Sequence, residues 1–255
     1  MIVGTVWVGI YSNYEFVIMG IWGFVTAFFS AISASVGNLI AEKGREQQYR
    51  IYRSIELLDV WISGFTSICL LVLFQDFIQL WAGETYVLDF TVVGIIVLNF
   101  YLRSLRESTS MFREAAGMFK KFKNITLITA VLNIVLSFLL GYRWGMGGIF
   151  LATVISVLLT YFWYEPYLVH KELFMKPLAD YFKRQAGNMV LTLLIGGVTY
   201  GICALFQHTA VPVFLLKVLI CAVVPNLLYL AAFWKREEFQ AVYKRGITLI
   251  RKRKM

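Results

Sequence analysis

The chain has 255 residues, of which 59% are apolar and 15% charged, with a mean hydropathy of +0.70. A soluble domain carries about 25% charged residues, so composition excludes a water-soluble globular protein and indicates a polytopic membrane protein. The net charge of +9 does not indicate nucleic-acid binding, because the basic residues sit between apolar stretches, as membrane-surface connections do.

In chain order, Met1 to Trp7 is apolar, too short to span, and reads as the tail of a helix. No Lys or Arg precedes Lys43, so no secretory signal peptide is expected. The stretch 14–41 holds one ionisable residue, Glu15. As a helix it would run about 42 Å, longer than a hydrocarbon core of about 30 Å. Ser12-Asn13-Tyr14-Glu15 in front of it has the pattern of a capping box. Small residues from Ser30 to Gly37 would let neighbouring helices approach closely.

Six further spans are expected, at 57–74, 87–105, 124–142, 149–164, 188–206 and 213–234. Between the second and third lies QDFIQLWAGETY, an interfacial segment that places Trp81 and Tyr86 at headgroup depth. A basic, mildly amphipathic stretch at 106–123 leads into the fourth span, and RWGMGG turns the chain into the fifth. The stretch 165–187 is expected as a long linker. Pro225 should kink the last span, and the carbonyl it frees needs a partner in the bundle. Residues 235–255 form a basic tail suited to an anionic leaflet. Cys69, Cys203 and Cys221 lie singly in apolar stretches and read as packing residues.

Of the 24 basic residues, 22 fall in the connections 43–53, 103–123 and 171–184 and in the tail. The positive-inside rule makes these connections and the C-terminus cytoplasmic. Seven spans with an inside C-terminus put Tyr11 outside. An outside start without a signal peptide implies at least one preceding helix.

The run VGIYSNY (8–14), followed by SASVGNLIAEKG (33–44), resembles a bacterial family. LWAG (80–83), FREAAGMFKKFKNITLITAVLNIVLSFLLGYRWGMGGIFLATVIS (112–156) and YEPYLVHKELF (164–174) continue the resemblance, which covers about 8–182. That family is the polysaccharide transporters, oligosaccharide-lipid flippases of the multidrug/oligosaccharidyl-lipid/polysaccharide flippase superfamily. The resemblance implies an all-α, polytopic transmembrane bundle corresponding to the C-terminal half of a two-lobe protein, with alternating access to a central cavity. The implied activity is transport of lipid-linked oligosaccharide across the cytoplasmic membrane for cell-surface polysaccharide. The implied partners are membrane lipids, that substrate and an N-terminal helical lobe. Beginning in mid-family, the chain is not expected to transport alone.

The residues themselves show no catalytic constellation. His170 and His208 sit in connections on opposite sides of the membrane, no Gly-rich phosphate loop is present, and neither enzyme activity nor a cofactor is expected. Ionisable groups in or near spans are the default functional candidates. Arg103, with Asn99 one turn earlier, is suited to bidentate contact with a lipid diphosphate, or else is a topology anchor. Glu15 is either a cavity group that titrates in ion coupling or a capping acid. Asn133, with Ser137 one turn on, either contacts substrate or bonds to a neighbouring helix. Lys217 is expected to snorkel outward, and Glu56 and Asp59 to face Arg50 and Arg53 at the inner interface.

Two other functions stay open. An ion-coupled multidrug antiporter would need well-buried acids in its spans, where only Glu15 qualifies. A membrane enzyme of glycan assembly would need a large outer loop with acids or histidine, whereas the outer connections are short.

Overall fold

The structure is a computed structural model that describes residues 5–206 and 210–244. These form an all-α bundle: α1 (Thr5–Glu42), α2 (Arg45–Trp81), α3 (Phe90–Ser104), α4 (Glu107–Ala115), α5 (Phe119–Leu159), α6 (Tyr161–Leu168), α7 (Leu178–Cys203) and α8 (Val211–Phe233). Among the described residues, five segments are long and apolar enough to cross a membrane: Val6–Glu42, Arg45–Trp81, Phe119–Phe174, Leu178–Cys203 and Val211–Phe233. The chain is a multi-pass membrane protein. His208 and residues 245–255 of the basic tail lie outside the described residues.

Helix α1 passes unbroken through Ser12-Asn13-Tyr14-Glu15, so these residues do not form the expected cap. A cap works only where first-turn amides are free. Here the apolar residues from Thr5 onward, Trp7 included, extend the helix backward and give those amides carbonyl partners. Ser12 Oγ instead donates to the Gly9 carbonyl at 2.7 Å, and Glu15 accepts the hydroxyl proton of Tyr11. Tyr14 is fully buried, stacks near Phe74 at 4.8 Å and accepts the Leu88 N–H at 2.9 Å, tying α1 to the start of α3.

Helix α2 is the central post, packing on α1, α3, α7 and α8. It continues to Trp81, so Gln75 to Trp81 extend the second helix rather than forming a separate segment. The reason is that these residues contain no Gly or Pro; the helix stops only at Gly83, whose φ of 105° suits glycine. Trp61 donates to Asn226 at 2.8 Å, and Lys217 donates to Asp76 at 2.6 Å, setting α8 antiparallel along α2. Lys217 therefore does not snorkel outward: it is buried within the bundle against Asp76 on the facing helix. Helix α8 runs through Pro225, and the carbonyl of Cys221, which that proline leaves without its amide, receives the Cys69 thiol at 3.9 Å.

Helix α5 folds back on itself. Trp144 and Gly145 leave helical geometry, Gly145 at φ 56°. The two arms, 119–143 and 146–159, are joined by Asn133 donating to Thr153 Oγ1 at 3.1 Å and Thr129 donating to Thr160 Oγ1 at 2.8 Å. At Gly148 any Cβ would lie 2.1 Å from the Leu140 carbonyl oxygen, so only glycine allows this close return.

The stretch expected as a linker after the fifth span is mostly helical. Pro166 sits within α6, a π-helical turn covers Val169–Phe174, and α7 begins at Leu178. Pro166, the sixth residue of α6, removes the amide that would otherwise bond to the Phe162 carbonyl, and the chain passes into the π-helical turn three residues later. The connections 43–53 and 171–184, together with Lys121, gather at one pole of the bundle. Ion pairs link Arg53 to Glu238, Arg184 to Glu56, Lys176 to Glu46 and Lys121 to Glu172.

Candidate substrate-handling surface

Three arginines flank and enter α4, and the structure gives them different roles. Arg106 reaches Glu165 Oε2 through Nε and Nη2 at 2.8 and 2.6 Å, and Arg113 reaches Glu165 Oε1 through Nε at 2.8 Å. Glu165 is fully buried. The guanidiniums of Arg113 and Arg106 also lie over the rings of Phe122 at 4.0 Å and Tyr161 at 4.4 Å. At the N-terminal end of α4, opposite to Arg113, Asp59 of α2 accepts the Ser108 amide at 2.8 Å and the Ser63 hydroxyl at 3.1 Å. A carboxylate at a helix N-terminus satisfies a free amide and opposes the helix dipole. Asp59 therefore does not face Arg50 or Arg53. Of the expected pair only Glu56 does so, 3.5 Å from Arg53 Nε.

These contacts hold α4 at both ends and so fix the junction at which Arg103 ends α3. Arg103 itself is exposed, and among the described residues it makes no ion pair. Its guanidinium lies 4.0 Å from the centre of the Trp22 ring. Trp22 is twenty residues before Glu42, about 30 Å along α1 from the basic pole. Arg103 is thus a cation held by an aromatic face, well inside the helical bundle from that pole. Glu107 is the nearest acid of α4, and burial raises its carboxyl above the ordinary range while Arg103 opposes that shift.

The other expected candidates are placed elsewhere. Asn99 donates to the Phe150 carbonyl at 2.9 Å and secures α3 to the second arm of α5. Asn133 joins the two arms of α5 through Thr153. Glu15 is on α1 with Tyr11. No hydrogen bond or ion pair joins any two of Arg103, Asn99, Glu15 and Asn133 among the described residues. His170 is buried among rings, with Nδ1 2.9 Å from the Pro166 carbonyl. Among the described residues no three His, Cys, Asp or Glu side chains converge as metal ligands.

A groove of about 660 Å³ lies between α3 and α7 over α2. Ile68 and Leu71, Val97 and Leu98, and Met189 and Leu193 line it, and Tyr101 and Thr192 add hydroxyls. Its width comes from Gly94 and Gly197, where an added Cβ would meet nothing within 4 Å. Phe90 and Tyr200 meet across one end, ring centres 5.8 Å apart. Sequence reading missed this groove and the Glu165 clasp. An acid alone in the aromatic run FWYEPYL was the one available signal for Glu165.

Residues 117–221, from the turn before α5 to the middle of α8, match the family model described as Lipid II flippase MurJ. No curated protein and no solved structure matches the chain. The match covers less than half of the chain; the matched family belongs to the multidrug/oligosaccharidyl-lipid/polysaccharide flippase superfamily, and the likeness shows no preference for the polysaccharide-transporter branch.

Proposed function

We propose that this chain moves a lipid-linked glycan precursor across the cytoplasmic membrane as one helical lobe working against a second, for cell-surface polysaccharide. The observation that carries the reading is Arg103, an exposed cation that among the described residues makes no ion pair and is held over Trp22 within an apolar bundle. A diphosphate leaving the headgroup layer loses hydration, and a cation waiting along its path offsets that loss. Guanidinium offers two parallel donors to phosphate oxygens, which ammonium does not. The groove of about 660 Å³ is apolar and long enough along α3 and α7 to take part of a hydrocarbon chain. In this reading the C-terminus is cytoplasmic and Arg103 meets the headgroup from that side.

Chromosomal Arg103→Lys and Arg103→Ala substitutions in the host cell test it. Export of surface glycan should fall with lysine and fall further with alanine, at unchanged abundance and topology. Normal export by a well-expressed Arg103→Lys protein refutes bidentate recognition, because a topology anchor accepts lysine. The rival reading, ion-coupled antiport, gains two acids inside α2, Asp59 and Asp76. Asp59 is occupied by Ser108 and Ser63 and Asp76 by Lys217, which favours structural roles for both.

A further inference from the structure

A second cavity, of about 480 Å³, opens at the basic pole between α2 and the start of α7. Tyr49, Arg53, Lys176, Lys183 and Arg184 line it, with Asp180 the one acid in its wall. The neighbouring carboxylates Glu46, Glu56 and Glu238 pair with three of the four cations, so excess charge alone does not define the site. Unused donors do. Arg184 reaches Glu56 at 3.4 Å, and among the described residues its Nε is buried without a hydrogen-bond partner. Lys183 is exposed and makes no ion pair among the described residues. Lys176 meets Glu46, whose side chain is 71% exposed, so that pair is screened by water. Pro177 caps α7 without a side-chain hydrogen bond, leaving the amides of its first turn without a capping side chain at the same cavity.

Depth identifies the anion. The Trp61–Asn226 and Lys217–Asp76 bonds set the 23 residues of α8 beside roughly 57–79 of α2, a length of about 34 Å, close to the hydrocarbon thickness. Arg236 donates to Asn188 at 3.0 Å, placing Asn188 near the same boundary. Tyr49 and Arg53 lie four to eight residues beyond that level on α2, and Lys183 and Arg184 four to five beyond it on α7. At 1.5 Å per residue Arg53, Lys183 and Arg184 lie about 6–8 Å outside the core, at the level of the headgroups, and Tyr49 about 12 Å outside it. We propose that this cavity binds the phosphate of an anionic phospholipid headgroup from the leaflet at the basic pole, donated to by Lys176, Lys183 and Arg184. The inference needs only that the helices cross a bilayer, so its failure leaves the transport reading untouched.

The test is native mass spectrometry of the full chain released from nanodiscs of phosphatidylcholine with or without phosphatidylglycerol. One phosphatidylglycerol per chain should be retained over phosphatidylcholine. A basic residue near an anionic surface is worth about 1 kcal/mol, so each of Lys176→Ala and Lys183→Ala should weaken retention roughly fivefold, and the pair roughly 25-fold. Both side chains reach solvent, and unchanged melting of the variants verifies folding. Lys121→Ala, at the same pole but outside the cavity, should change retention less than twofold. Equal retention by the double variant, or an equal loss with Lys121→Ala, overturns the site. Displacement by free glycerol phosphate at matched concentration overturns the lipid as the source of the phosphate.

Discussion

Glu165→Gln is the sharpest perturbation of the α4 clasp. The carboxylate is fully buried, and its partners are nearly so, with side-chain exposures of 17% for Arg106 and 8% for Arg113. Glutamine keeps the shape but removes the charge and leaves two guanidiniums short of compensation, since Glu114 meets only Arg113, at 2.8 Å. Breaking a buried ion pair from one side costs about 3–5 kcal/mol. For a chain of this size, each kcal/mol lowers the melting temperature by about 2–4 °C, so the drop should be roughly 6–20 °C in detergent. Replacing Arg106, Arg113 and Glu165 together by methionine should recover most of that loss, because the desolvation of three charges disappears with their attraction. Arg103→Met, at a cation that makes no ion pair among the described residues, should cost under about 1 kcal/mol, the scale of its contact with the Trp22 ring. A Glu165→Gln protein that melts within 2 °C of the parent would refute the reasoning, as would a triple variant less stable than the single one.

Gly197→Leu should fill the groove between α3 and α7 without disturbing α7, since glycine is the poorer helix former by about 1 kcal/mol. Surface glycan export should drop while melting temperature holds or rises, and full export would remove the groove from the proposed function. For topology, single cysteines at Glu84 and Glu172, in a chain lacking Cys69, Cys203 and Cys221, should label differently with an impermeant external reagent. Position 84 should react and position 172 should not; the reverse pattern would overturn the cytoplasmic placement of the basic pole.

What the sequence determined by itself was the class of molecule. Long apolar segments can satisfy their backbone only as helices in lipid, so hydropathy and composition reach an all-α membrane bundle without any tertiary information. The glycines of RWGMGG mark a possible reversal in the same local way, because Gly145 takes a positive φ and Gly148 admits a carbonyl. The end of α1 was not legible: Ser12-Asn13-Tyr14-Glu15 has capping chemistry, and only the helical path of the preceding residues decides that the cap is unused. Charge roles were not legible either. Arg103, Arg106 and Arg113 look alike along the chain, yet two clasp Glu165, which lies 59 and 52 residues away, and one is left over Trp22. Lys217 and Asp76 are 141 residues apart and become partners only once α8 lies antiparallel on α2. Hydropathy is a property of neighbours in sequence, whereas the partner of a buried charge is chosen by packing between helices, and only the tertiary structure contains that choice.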